Sequence, residues 1–203
     1  MVAPGTAGSS ARNAGVVVAV LIVSGMFLFW APVGLDATYS VVDHTVSESA
    51  GQGVDGAWAA RSGFLLFGLA VALLAHWSRR PLVARGAFAV FAAAMAGVAT
   101  FPARSWEAAA EHSDVEDLLH SVFATTMGFA FALGVAAVAV DRGPGWRADR
   151  IFDAVALVAS VAIPLRMVAS DNSIGLYQRL MFLIAYLWFA REALSTRNRT
   201  IFV

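Results

Sequence analysis

Six runs of mostly apolar residues constrain this chain more than any other feature. They cover residues 14–35, 57–77, 86–103, 117–140, 151–170 and 173–193. Each is close to the roughly 20 residues that cross a hydrocarbon core of about 30 Å as an α-helix. Composition agrees: the 203 residues are 59% hydrophobic and only 14% charged, where a soluble domain carries about 25% charged residues. The expected fold class is all-α, a polytopic six-transmembrane-helix bundle forming one membrane domain over 14–195. A flexible 1–13 start and a 196–203 tail flank it. Arg12 ahead of the first run resembles a secretory signal. That run exceeds the usual apolar core of about 7 to 15 residues and no clean cleavage site follows, so it is read as a retained span.

The arginines set the expected orientation, because basic loops stay in the cytoplasm. If six spans alternate, ten of the 14 arginines fall on one side: 12, 79, 80, 85, 142, 147, 150, 191, 197 and 199. The other side holds ten of the 14 acids. Both termini are therefore expected to be cytoplasmic in a multi-pass protein of the plasma membrane, and the net charge of zero conceals this polarity. Trp30, Trp58 and Trp106 fall at outer span ends and Trp77 and Trp146 at inner ones, as interfacial indoles prefer. Gly63, Gly68, Ala93, Gly97, Gly128 and Gly134 are expected at helix contacts, where small residues let backbones approach.

The stretch "VEDLLHSV" (115–122) brings Glu116, Asp117 and His120 onto one helix face at the head of the fourth span. Arg61, Arg166 and Arg179 each lie roughly 6 to 10 Å below the outer ends at 1.5 Å per residue. The buried charges thus point to an outward shelf, while the inner halves offer little beyond Asp153, Glu192 and His76. Two readings follow. In one, the arginines snorkel or pair with Glu48, Glu116 and Asp117 to hold loops on the bundle. In the other, Glu48, Arg61, Asp117, His120, Arg166 and Arg179 form a pocket for an anionic lipid headgroup or small solute, since guanidinium forks grip phosphate and carboxylate. Binding, rather than catalysis, is the function expected.

Alternatives are weighed on the same residues. His44, His112, Asp117 and His120 could hold zinc for hydrolysis of a lipid amide or ester, yet no HExxH and no third ligand at a recognisable spacing appears. Ser47, Ser121 and Ser170 lack a nucleophile elbow. A small transporter or oligomeric pore is a further alternative, though neither internal repeats nor polar midplane segments are evident. No nucleotide loop or nucleic-acid surface is present, and with no cysteine there is no disulfide or thiolate site. No cofactor is expected. Expected partners are membrane lipids, with a homo-oligomer or other membrane proteins as further options.

"HTVSESAGQG", "WAARSGFLLFGLAV", "TFPARSWE", "DLLHSVFATTMGFAFALG" and "GLYQRLMFLIAYLWFA" occur in this order across residues 15–195. Together they resemble the six-helix prokaryotic integral membrane proteins grouped as domain of unknown function 998. The resemblance implies an integral membrane protein without an established activity, and marks Ser47, Glu48, Arg61, His120 and Arg179 as family features. Where it leads one to expect an acid after Phe101 and Pro102, this chain has Ala103 and Arg104.

Overall fold

A computed structural model describes residues 6–107, 111–143, 148–169 and 172–198, with side chains described for 8–195 of these. Trp146, Arg147, Ser170, Asp171 and Arg199 lie outside the described residues, as does the side chain of Arg197. Six long helices carry the fold: α1 (Thr6–Trp30), α3 (Trp58–Trp77), α4 (Leu82–Thr100), α5 (Asp114–Asp141), α6 (Ala148–Val168) and α7 (Ile174–Asn198). A single-turn helix, α2 (Val46–Ser49), lies in the α1–α3 connection. Each long helix packs on the next, and α7 returns to α1, closing a ring. One end, here the terminal face, carries the start of α1, the end of α7 and the turn at residues 78–81. The other, the loop face, carries the α1–α3 and α4–α5 connections.

Five of the long helices, all but α7, are long and apolar enough to cross a membrane. The described residues thus form an all-α, multi-pass membrane bundle. The seventh helix includes Gln178, Arg179, Arg191 and Glu192 among its residues, and it divides its faces sharply. Leu176, Leu180, Leu183, Leu187 and Leu194 are exposed along one stripe, while Phe182, Trp188 and Phe189 are buried. That inward stripe is the centre of the core. Phe189 meets Phe88, Phe91 and Phe131 at 5.0–5.6 Å between ring centroids. Tyr186 stacks on Phe67 at 4.1 Å. Such ring pairs contribute about 0.5–1.5 kcal/mol beyond the area they cover. In α6, by contrast, only 17% of the apolar window is buried, so this helix sits at the periphery against α5 and α7.

Small residues set the close contacts, though not all those expected. A Cβ at Gly68 would lie 3.0 Å from Ala92 O, one at Gly63 would meet Leu28, and one at Gly97 would meet Phe123. At Gly134 a Cβ would come within 2.7 Å of the buried Phe88 ring. Gly128 has nothing within 4 Å of that position, and Ala93 is exposed. Both face outward because they sit on the lipid-side stripe of their helices.

The terminal face corrects the expectation that it offers little charge. Arg80, in the turn between α3 and α4, donates from Nε and Nη2 to the two oxygens of Glu192 on α7 (2.5 and 2.9 Å) and from Nη1 to Asp141 at the end of α5 (2.7 Å). Arg142 bridges Glu192 (2.6 Å) and Asp153 on α6. Asp153 also accepts from the Trp188 indole at 2.9 Å. Arg191 pairs with Asp149. Arg80, Asp153 and Glu192 are each at most 5% exposed. Burial works against the Arg80 charge, but Glu192 and Asp141 more than offset it and hold its pKa above the ordinary guanidinium value. All four acids of this face, Asp141, Asp149, Asp153 and Glu192, are thereby ion-paired.

Two outcomes follow. Glu192→Gln leaves Arg80 and Arg142 buried without their shared carboxylate, so a loss of about 3–5 kcal/mol is expected in detergent-solubilised unfolding; a change below about 1 kcal/mol would show the network to be dispensable. Gly134→Ala should cost about 1–3 kcal/mol by overpacking against Phe88. Gly128→Ala on the same helix should be neutral or stabilise by about 0.5–1 kcal/mol, and equal effects would contradict the packing described.

Candidate functional site on the loop face

The α1–α3 connection would leave many backbone groups unpaired if it were simply draped over the bundle. Its middle is organised by Thr45 and Glu48. Thr45 Oγ1 accepts from Glu48 N (3.1 Å), and the Glu48 carboxylate accepts from Thr45 N (2.5 Å), a reciprocal cap that starts α2. Gln178 on α7 reinforces it, since its Oε1 accepts from Val46 N (2.6 Å) and Ser47 N (3.3 Å), donors with no partner inside so short a helix.

Two of the expected arginines grip this loop through carbonyl oxygens. Arg61 donates from Nε to Ala50 O (3.0 Å) and from Nη2 to Gly51 O (2.9 Å), just past the end of α2. Arg179 donates from Nη1 to Val41 O, His44 O and Gly175 O (2.6–3.0 Å) and from Nη2 to the Tyr39 hydroxyl (2.7 Å). The Tyr39 hydroxyl in turn donates a hydrogen bond to Thr45 O at 2.8 Å. Burial raises the Tyr39 pKa, with Arg179 pulling the other way, so the phenol stays a neutral donor at physiological pH. Arg166 stands apart, exposed, with its guanidinium 5.8 Å over the Tyr177 ring. None of Arg61, Arg166 and Arg179 has a carboxylate within 4 Å among the described residues.

Asp117 and His120 belong to a second group. Asp117 accepts from Arg104 N (2.8 Å), and His120 Nδ1 lies 2.9 Å from Phe101 O. Their three-residue spacing thus latches the end of α4 onto the head of α5. His120 is 4% exposed, and its Nε2 has no hydrogen-bond partner among the described residues. Gln52 joins the two groups by donating to Pro102 O and Ser113 O and accepting from Ser113 N, the cap of α5. The structure therefore brings Glu48, Arg61 and Arg179 around one loop, places Asp117 and His120 on the neighbouring one, and leaves Arg166 at the edge.

The metal candidates are dispersed. His44 Nδ1 accepts from Ser40 N (2.9 Å), and its ring stacks on Trp106 at 5.9 Å. His112 is beside Asp114 at 3.1 Å. Among the described residues no three His, Asp or Glu side chains could hold a metal ion together. Sequence reasoning missed Gln178, Gln52 and Tyr39, neutral residues whose role is to satisfy backbone groups brought near only by folding. It also missed an apolar groove of about 460 Å³ between α1 and α7, lined by Leu21, Gly25, Phe29, Leu183 and Leu187, with Arg179 also in its wall.

Lipid-facing apolar stripes around an aromatic centre and a stapled polar cap define a polytopic integral membrane protein. The chain belongs to the family described as protein of unknown function (DUF998), whose model matches residues 14–194. No curated protein and no solved structure matches it.

The loop cluster makes a steric prediction. A Cβ at Gly175 would sit 2.1 Å from His44 O, so Gly175→Ala should push the 41–44 stretch off α7. Amide exchange across residues 39–49 is expected to accelerate by roughly tenfold or more, with the end of α5 unaffected. Unchanged exchange there would show that the loop is held independently of α7.

Proposed function

We propose that this protein spans a bacterial plasma membrane six times with both termini cytoplasmic, and binds an anionic amphiphile in its outward half. The headgroup lies at Arg179 and the acyl chain in the α1–α7 groove. The sixth span is supported by the outward leucine stripe of α7, which suits lipid, beside an inward face that carries the aromatic core. The orientation rests on the arginine distribution.

The observation that carries the binding reading is a guanidinium in the wall of an apolar groove with no carboxylate within 4 Å among the described residues. Arg179 has committed Nη1 and one position of Nη2 to the loop, while its Nε–H has no partner among the described residues. Arg166 over Tyr177 adds a second cation near the same end of α7. A charge-assisted contact to a phosphate oxygen contributes about 1.5–3 kcal/mol, and each CH₂ of a chain laid in the groove about 0.8 kcal/mol relative to water.

Native mass spectrometry of the protein released from nanodiscs tests this. Wild type is expected to carry a phospholipid-sized adduct that Arg166→Ala/Arg179→Ala loses. Gly25→Phe should lose it too; a Cβ at Gly25 has nothing within 4 Å, so the new ring fills the groove without disturbing the core. An adduct retained in Gly25→Phe would reject the groove. A zinc-sized adduct would favour hydrolysis instead.

A further inference from the structure

A second groove lies between α3 and α4 on the opposite half of the bundle. It encloses about 620 Å³, and its wall includes Gly68, Ala72, Gly86, Ala89 and Ala93, with His76 and Arg85 at the terminal-face end. The floor is backbone: a Cβ at Gly68 would lie 3.0 Å from Ala92 O and 3.1 Å from the Met95 Cβ. The flank is open, with nothing within 4 Å of a Cβ at Gly86 and with Ala72, Ala89 and Ala93 exposed.

The charge at its mouth sets this groove apart on its own face. Arg80, Arg142 and Arg191 are all ion-paired there. Arg85 is not among the ion pairs of the described residues. It is half-buried and anchored through Nε to Ala75 O at 3.0 Å. That bond holds the guanidinium in place while Nη1 and Nη2 have no hydrogen-bond partner among the described residues. His76 is exposed in the groove wall, and Arg79 is exposed in the adjoining turn. The mouth is therefore cationic and prearranged, with no acid within 4 Å of the Arg85 guanidinium among the described residues.

Length decides between a lipid and a helix as occupant. From Arg85 to Ala96 the groove runs about 16 Å along α4 at 1.5 Å per residue, close to half of a hydrocarbon core of about 30 Å. Toward the loop face its walls reach no further than Leu65 on α3 and Ala96 on α4. A helix from a second copy would cross both leaflets and find a complementary surface for only half its length. An acyl chain of one leaflet, with its phosphate at Arg85, matches both the length and the charge. We propose that the α3–α4 groove is a binding site for one anionic phospholipid of the leaflet on the terminal face, distinct from the α1–α7 groove and independent of what binds there.

The test uses the full chain in detergent, titrated with phosphatidylglycerol or phosphatidylcholine and read by native mass spectrometry. Wild type should bind phosphatidylglycerol more tightly than phosphatidylcholine at this site. Arg85→Gln and Ala93→Trp should each weaken phosphatidylglycerol binding roughly tenfold, the first by removing the cation and the second by filling the groove. Gly25→Phe, in the other groove, should leave this site intact, which separates a failure here from a failure there. Ala89→Trp substitutes if Ala93→Trp does not fold. Undiminished binding in the tryptophan variants would overturn the proposal, and if Arg85→Gln alone weakened it, only surface attraction would remain. A dimer mass abolished by Ala93→Trp with lipid binding unchanged would overturn it in favour of a second copy.

Discussion

The Glu192 carboxylate, shared between Arg80 and Arg142, is the constraint on which the rest of the bundle depends. In lipid there is no hydrophobic drive to bring apolar helices together, so packing and polar contacts must select one arrangement. Glu192 is on α7, Arg80 in the α3–α4 turn, Arg142 at the end of α5, and Asp153, which Arg142 also holds, on α6. One network thus sets the registry of five helices at the terminal face. Its geometry also orients the core: Trp188 donates to Asp153, which fixes the face of α7 that presents Phe189 to Phe88, Phe91 and Phe131.

The loop face uses the same residue type for a different purpose. Arg61 and Arg179 hold backbone carbonyls, not carboxylates, and so satisfy the oxygen acceptors of a long connection while keeping their positive charge. Gln178 and Gln52 complete that task with neutral groups. Charge is thus cancelled in the network that locks the helices at the terminal face and left standing on Arg61 and Arg179 at the loop face. The two grooves lie in opposite halves of the bundle, each with an arginine in its wall.

Much of the candidate site was legible in part. The spacing of Asp117 and His120 signalled a shared helix face, and both do act together, but on Arg104 N and Phe101 O, groups that sequence patterning does not display. Arg166 carried the same signal as Arg179 and lies exposed at the periphery, because α6 turns most of its surface outward, with only 17% of its apolar window buried. Gly128 and Gly134 are equivalent as letters, yet only Gly134 meets another helix.

By itself the sequence determined the class: apolar runs of membrane-crossing length force helices, since every backbone polar group in lipid must be satisfied within its own segment. It also determined the polarity of charge between the two faces, which is a property of residue order alone. Only the tertiary structure decided which charges are buried. Asp153 and Glu192 read as edge residues along the chain, and become interior when four other helices converge on them. It likewise decided which arginines keep free donors, because two of the three carbonyls that occupy Arg179, those of Val41 and His44, come from residues more than a hundred positions away.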